Sequence, residues 1–269
     1  MKRNALALVA TLVLAASTHA QTIALRGSDT LGDKMVPKLA DAFRKAAGDT
    51  NFDIVAEGSS AAFKSLLAGS ADIGMSSRPI KDSEKKSLQD AGMKVNEHVA
   101  GVDMIAVIVN SENPVDNLPV KGVAAIFTSQ VATWKTVPGN PVVNAFTRNE
   151  SSGTFKVFQS VAMGGAEYGS STKKMEGNGE IVSAVAADLG GVGYVGLSYA
   201  GAKGVRAVKV DGVSAEPRNA ATYPLSRNLY YYTIDGKESP EAMKFIRWAT
   251  TSPEAAKIIG EVGFIAPRR

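Results

Sequence analysis

Strand-like and helix-like segments alternate along most of this chain, and that alternation limits the folds open to it. Short runs rich in β-branched residues, such as TIALR at 22–26 and MIAVIVN at 104–110, are separated by segments with apolar residues at helical spacing. The segment 31–47 is one of these helical patterns. Alternation of this kind predicts α/β units, with parallel strands and helices on both faces of each sheet.

The pattern also indicates how the elements are grouped into lobes. We predict strands over 22–26, 52–56, 72–75, 102–110, 142–146, 190–196, 205–210 and 229–234, and helices over 31–47, 60–68, 82–91, 120–127, 153–162 and 181–188. Two more helices are expected at Pro240 and Pro253, each one residue after a serine that can cap it. MIAVIVN and NLYYYTI are candidate crossover strands. The predicted division is 1–20 as a signal peptide, 21–104 with 230–269 as a discontinuous first lobe, and 105–229 as a second lobe.

The first twenty residues have the order of a secretory signal. Lys2 and Arg3 precede an apolar stretch, and small residues lead to a predicted cleavage before Gln21. No later apolar run is long enough to span a bilayer, and the signal contains no cysteine that could carry a lipid. We therefore expect a soluble, periplasmic protein without a direct membrane anchor.

Charge and residue counts exclude several classes of function. Subtracting Lys2 and Arg3 from the 30 basic residues leaves 28, against 26 acidic residues, so no basic face for nucleic acid is expected. The chain has no cysteine, and outside the signal it has one histidine, His98. Because metal sites need clustered ligands, we expect neither a metal nor another cofactor.

The same shortage of chemical groups argues against an enzyme. A phosphatase or serine hydrolase using Ser59 or Ser152 would need a base, and His98 is the single histidine available for that role. A metallophosphatase would need clustered histidines and aspartates. An enzyme therefore remains the less favoured alternative to a binding protein, and a secreted scaffold or adhesin is a further alternative.

Four stretches of small polar residues follow predicted strands. They are GSDT at 27–30, EGSS at 57–60, GMSSRP at 74–79 and RNESSGT at 148–154. Ligands of open α/β sheets bind at the carboxyl ends of the strands, where helix N-termini also present unpaired N–H groups. Each stretch alone also fits ordinary helix capping. Together with Arg148, whose planar guanidinium suits an oxyanion, they predict a receptor for a small tetrahedral oxyanion.

These stretches carry a resemblance to a known family. The sequence resembles the periplasmic phosphate-binding proteins of Pst-type ABC transporters, the PstS-like family, in GSDT, EGSSAAF, ADIGMSSRP, RNESSGTF, GGVGYVG and YPLSRNLYYYT. The resemblance implies a type II periplasmic-binding-protein fold, with two α/β lobes joined by two crossover strands and closing over phosphate. It also implies a receptor that hands inorganic phosphate to an inner-membrane ABC permease and is not an enzyme. We expect it to be a monomer.

The resemblance assigns site residues position by position. The expected phosphate ligands are Thr30 and Leu31 in the first loop, Ser59 in the second, and Arg148, Ser152, Gly153 and Thr154 in the second lobe. Many family members have an aspartate after the third strand that accepts the proton on phosphate. Here Ser77 and then Arg78 occupy that region, a variant that resembles another branch of the family. We expect both of them, together with Asp103, to belong to the set of phosphate-binding residues.

The missing aspartate leaves three carboxylates as candidate proton acceptors, and sulfate or molybdate as alternative ligands. Asp29, Asp103 and Glu150 all stand next to expected ligand positions. Asp103 begins an apolar strand at the predicted lobe junction, so we favour it as the acceptor, with Arg78 as a charge partner. We expect Glu150 to orient Arg148 and Asp29 to cap the helix that follows it.

Overall fold

The computed structural model describes residues 21–48 and 50–267. The predicted signal peptide at 1–20 lies outside the described residues. Within them, no helix combines the length and the apolar character that a membrane crossing requires.

Strands and helices alternate as the sequence predicts, and the fold is α/β. The strands are β1 (Gln21–Gly27), β2 (Thr50–Ala56), β3 (Ile73–Ser76), β4 (Val95–Asn110), β5 (Asn117–Leu118), β6 (Asn144–Arg148), β7 (Lys173–Met175), β8 (Gly191–Gly196), β9 (Val205–Ala207), β10 (Lys209–Val210) and β11 (Ser226–Ile234). The helices are α1 (Asp29–Gly32), α2 (Met35–Ala47), α3 (Ser59–Leu67), α4 (Asp82–Asp90), α5 (Val120–Phe127), α6 (Gly153–Ala162), α7 (Asn178–Ala186), α8 (Pro240–Thr251) and α9 (Pro253–Glu261).

Three predicted segments differ most from the observed elements, and the bounds of the other predicted segments agree within three residues. The helix expected over 31–47 is two helices, α1 and α2, and the strand expected over 205–210 is divided into β9 and β10. β9 pairs with β4, whereas β10 pairs with β5 in a separate two-stranded ladder. The strand expected over 102–110 begins earlier, because KVNEHVA continues into it and forms one strand of 16 residues.

The main sheet is parallel at its ends and antiparallel in its middle. Its strand order is β2-β1-β3-β11-β4-β8-β6-β7, with β9 also paired to β4. β1 pairs in parallel with β2 and β3, and β6 pairs in parallel with β7 and β8. β4 joins the two ends, because its first part pairs with β11 and its last residues pair with β8 and β9.

Two large hydrophobic cores lie at opposite ends of this sheet. The first is built from β1, β3, α2 and the C-terminal helices α8 and α9, and in it the rings of Phe43 and Phe245 make an edge contact at 5.4 Å. The second surrounds the later part of β4, where Phe158 of α6 stacks on Tyr194 of β8 at 3.9 Å. The part of the molecule around the first core is the first half, and the part around the second core is the second half. The carboxyl ends of the parallel strands in both halves face the region between the cores.

The two C-terminal helices begin where the sequence predicts. Ser239 Oγ accepts a hydrogen bond from the N–H of Ala242, and Ser252 Oγ accepts one from the N–H of Ala255, both at 3.1 Å. In each helix proline is the first helical residue, where its missing N–H costs no intrahelical bond.

Candidate functional site

The polar stretches that follow the strands meet between the two cores. The predicted site residues that are buried here, each with at most 1% of its surface exposed, are Thr30, Ser59, Ser77, Asp103, Arg148, Ser152 and Thr154. Gly153 is buried among them. Buried polar groups need hydrogen-bond partners, so the contacts of this cluster show how it is organised.

The GSDT stretch is shaped by close packing of its glycine against β3. Gly27 has a φ of 129°, and a Cβ at this position would lie 2.2 Å from the carbonyl oxygen of Met75. The turn brings the Thr30 hydroxyl within 3.3 Å of the Thr154 hydroxyl. The side chain of Leu31 belongs to the first core, so Leu31 can contribute its backbone N–H alone.

Two serines of the first half face a glycine of the second. Ser59 Oγ accepts the Ser77 N–H at 3.0 Å and lies 3.3 Å from Ser77 Oγ. A Cβ on Gly153 would lie 2.3 Å from Ser59 Oγ and 2.5 Å from Ser77 Oγ. The missing side chain at Gly153 therefore allows α6 to approach both serines.

Ser152 begins α6 as its N-cap. Its hydroxyl oxygen accepts a hydrogen bond from the N–H of Phe155 at 3.3 Å. Because a hydroxyl has one proton and two acceptor positions, this cap leaves the Ser152 proton available to donate elsewhere. The cap and an oxyanion-binding role are thus compatible in one residue.

Arg148 ends β6 and pairs with a carboxylate from the other half of the molecule. Its Nη1 lies 2.6 Å from Asp29 Oδ2, and its Nη2 donates to the carbonyl oxygen of Glu176. Asn178 Nδ2 donates to the same Asp29 oxygen at 3.1 Å. The Nε of Arg148 is buried and has no hydrogen-bond partner among the described residues. This guanidinium therefore keeps a donor free within the cluster.

Two expectations about the acidic residues beside this arginine are wrong. Glu150 does not orient Arg148: its side chain is exposed and pairs with Lys174 at 2.8 Å, which lowers the pKa of the Glu150 carboxyl. Asp29 does not cap α1. Ser28 is the N-cap, and Asp29 is the first helical residue, placed so that its carboxylate reaches Arg148.

Asp103 is fully buried and pairs with Arg227, which is not among the residues predicted for the site. Arg227 Nε and Nη2 lie 3.1 and 2.7 Å from Asp103 Oδ2. The N–H of Leu197 donates to Asp103 Oδ1 at 3.0 Å. Burial raises the pKa of the Asp103 carboxyl, against the lowering effect of the Arg227 guanidinium. The pair lies in the β4–β11 ladder, where the two residues are register partners.

Arg78 is not the charge partner of Asp103, and this expectation is wrong. Its guanidinium makes two hydrogen bonds to Glu84, at 2.8 and 2.6 Å, and a third to Ser60 Oγ at 3.2 Å. Glu84 lies in the first turn of α4, just outside the cluster. Arg78 therefore ties the loop after β3 to the neighbouring helices, and its guanidinium is paired with Glu84 rather than with Asp103.

The two halves touch around the rim of the cluster. Lys34 Nζ donates to the carbonyl oxygen of Ser198 at 2.7 Å, and the Tyr199 hydroxyl donates to Asp33 at 2.9 Å. On another side, the Ser60 N–H donates to the Ser151 carbonyl oxygen at 3.1 Å. With Asp29–Arg148 and Thr30–Thr154, these contacts describe a closed arrangement of the two halves.

The cluster offers hydrogen-bond donors rather than the groups of a catalytic site. His98 lies on β4, with its ring nitrogen 3.5 Å from the Thr233 hydroxyl, and burial lowers the pKa of its imidazole. Across residues 21–48 and 50–267, no group of three or more histidine, cysteine, aspartate or glutamate side chains is arranged to hold a metal ion. Hydroxyls, backbone N–H groups and Arg148 are suited to surround a small anion.

Comparison with known proteins identifies relatives over most of the chain. A family model described as a PBP superfamily domain matches residues 15–254. The phosphate-binding protein PstS of Pseudomonas aeruginosa is 32% identical, over 80% of this chain and 72% of the relative.

Solved structures give the same picture. One is a substrate-binding protein with bound phosphate from Clostridium perfringens, assigned to a phosphate ABC transporter. It matches with a TM-score of 0.85 and 28% identity, and the match covers 92% of this chain and all of that one. Another is an ABC-type phosphate transport receptor from Vibrio cholerae, with a TM-score of 0.73 and 26% identity over 92% of this chain and all of that one.

Proposed function

Because this chain belongs to the PBP superfamily and, within it, to the phosphate-binding PstS proteins, we propose that it is the substrate-binding protein of a phosphate ABC transporter. It binds inorganic phosphate between its lobes and delivers it to a permease, and it is a receptor, not an enzyme. The observation that carries the proposal is Arg148, a buried guanidinium with a free Nε, set among neutral hydroxyl donors at the meeting point of both halves.

The proposed phosphate ligands follow from the cluster. From the first lobe they are the Thr30 hydroxyl, the Leu31 N–H and the Ser59 hydroxyl, and from the second Arg148, Ser152, Gly153 through its backbone, and Thr154. Ser77 supports Ser59, since its N–H donates to the Ser59 hydroxyl oxygen. We leave Arg78 out of this set, because its guanidinium is engaged by Glu84. Neutral donors plus one arginine suit a desolvated dianion.

The proposal includes an arrangement of lobes and a location. The first lobe comprises 21–104 with 230–269, which agrees with α8 and α9 packing in the same core as β1, and the second comprises 105–229. Residues 1–20 act as a secretory signal, so the receptor works outside the cytoplasm, in the periplasm. It acts there as a monomer.

Sulfate and molybdate are the remaining alternatives for the ligand. They share the tetrahedral shape of phosphate, and the cluster's donors would also face their oxygens. No observation favours them over phosphate, whereas the relatives reported above are phosphate-binding or phosphate-transport proteins. Calorimetric titration of the purified protein tests the choice: we expect one phosphate bound per chain, more tightly than sulfate or molybdate. Failure to bind phosphate would refute the proposed function.

Phosphate should close the two lobes. Ligand groups come from both lobes, so a phosphate that contacts both stabilises the closed state over the open one. Small-angle scattering should show a smaller radius of gyration after phosphate is added to protein freed of ligand. An unchanged radius, starting from an apo protein that is shown to be open, would contradict this coupling.

Gly153→Ala should weaken phosphate binding without harming the fold. The added methyl would overlap Ser59 Oγ and Ser77 Oγ only when the lobes are closed, and such overpacking typically costs about 1–3 kcal/mol. Calorimetry with phosphate measures the loss. Gly179→Ala is the matched control, because a Cβ on that α7 residue meets nothing within 4 Å. Equal phosphate affinities for the two variants would show that Gly153 does not limit closure.

A further inference from the structure

Arg227 occupies a position between the two lobes that the proposed ligand set does not include. It is the second residue of β11, it is 7% exposed, and its register partner across the ladder is Asp103 of β4. Both strands run through the junction of the two cores. Since the two residues are partners within one ladder, their ion pair is expected to persist whether the lobes are open or closed.

The remaining donors of Arg227 reach both sides of the cluster. Nη1 donates to Thr154 Oγ1 at 2.9 Å and to the Ser77 carbonyl oxygen at 3.3 Å, and Nη2 donates to Thr30 Oγ1 at 3.3 Å. Thr30 lies in α1 of the first lobe and Thr154 in α6 of the second. One guanidinium therefore contacts a hydroxyl from each lobe.

These contacts fix how the two hydroxyls can use their protons. A guanidinium can donate but cannot accept, so each threonine oxygen must act as the acceptor toward Arg227. The two hydroxyls lie 3.3 Å apart, and a bond between them would use one of their two protons. At least one hydroxyl proton therefore stays available for an acceptor in the cleft. An anion bound there would face this O–H donor rather than a lone pair of a threonine oxygen.

We infer that Arg227 is a positioning residue of the phosphate site, which turns Thr30 and Thr154 into donors and joins them as the lobes close. The inference rests on the proposed function. Asp103 has a supporting role, because it holds the guanidinium through two contacts and neutralises its charge. The pair thereby orders the hydroxyls without adding a net charge at the junction.

The test is a double-mutant cycle measured by calorimetry with inorganic phosphate. One change is the neutral pair Asp103→Asn with Arg227→Gln, which avoids leaving either charge buried alone. The other is Thr154→Val, which removes a hydroxyl that Arg227 contacts. We expect the neutral pair to weaken phosphate binding about tenfold in the parent, the effect of one well-placed hydrogen bond, and to cost much less in the Thr154→Val protein.

The controls separate a positioning role from a structural one. Arg206→Gln removes an arginine that donates to the carbonyl oxygens of Asn113 and Val115, away from the cluster, and should keep the parent affinity. Urea unfolding of every variant reports loss of fold, and Arg227→Lys replaces the neutral pair in the cycle if that pair does not fold. The inference would be overturned if the neutral pair bound phosphate as tightly as the parent does. It would also be overturned if the neutral pair cost the same phosphate affinity with and without the Thr154 hydroxyl. A parent that binds no phosphate would instead refute the proposed function, and this inference with it.

Discussion

Arg148→Ala should weaken phosphate binding by about 2–4 kcal/mol, because hydrogen bonds that involve a charged group in a dry site are stronger than hydrogen bonds between neutral groups. Arg148 is 1% exposed, so water does not compensate for the lost guanidinium. The substitution would also leave Asp29 without its cationic partner across the cleft, and the bare carboxylate would repel an incoming anion. Calorimetry on the purified variant measures the change.

The chain offers a matched control for this experiment. Arg78 is also a buried arginine in an ion pair, 3% exposed, but its partner is Glu84 of α4, which is not one of the clustered site residues. Arg78→Ala should change thermal stability more than phosphate affinity. If Arg148→Ala binds phosphate as well as the parent does, the assignment of the site is wrong. If Arg78→Ala folds but loses much of its phosphate affinity, Arg78 belongs among the phosphate ligands after all.

The local part of the site could be predicted because its signals are contiguous in sequence. Ser152, Gly153 and Thr154 stand at the start of a helix after a strand, and N-capping depends on neighbours a few residues away. Ser152 does cap α6, and the glycine does permit the close approach of Ser59. Such short-range rules also located the caps of α8 and α9.

The pairing of charges could not be predicted, because it depends on which side chains face each other across the cleft. Glu150 is two residues from Arg148 and was the natural partner by sequence distance, yet the chain turns its carboxylate outward to Lys174. Asp29, distant in sequence, reaches Arg148 because the closed lobes bring α1 and β6 together. Sequence proximity carries no information about that contact.

Arg227 was missed for a related reason. Most arginines are solvated, so an arginine beside a strand gives no reason to expect burial. The signal that was present is its place in YPLSRNLYYYT, two residues before a run of buried strand residues at the predicted junction. A buried arginine at this junction needs a carboxylate partner, and Asp103 on the other crossover strand is that partner.

Discrimination of phosphate from sulfate requires an acceptor, and the structure alters which carboxylate we propose for it. Near neutral pH phosphate keeps a proton and sulfate keeps none, so a fixed acceptor pairs with phosphate but opposes a sulfate oxygen. Both Asp103 oxygens already accept hydrogen bonds, from Arg227 and from Leu197. The contacts of Asp29 to Asn178 and Arg148 both use Oδ2, so they leave Oδ1 available to accept a proton. We therefore propose Asp29 as the acceptor, in place of Asp103.

Asp29→Asn should lower the preference for phosphate over sulfate by about 1–3 kcal/mol, the cost of leaving a buried polar group without its partner. Asparagine keeps the shape of aspartate, but it loses the charge and can turn a donor toward either anion. Competition binding of sulfate against phosphate gives the ratio directly, whatever happens to the absolute affinities. Asp103→Asn is the companion variant: it should weaken both anions through Arg227 and leave their ratio near that of the parent. A carboxylate that accepts the phosphate proton must alter selectivity when its charge is removed. If the phosphate-to-sulfate ratio changed in Asp103→Asn but not in Asp29→Asn, Asp103 would therefore be the discriminator.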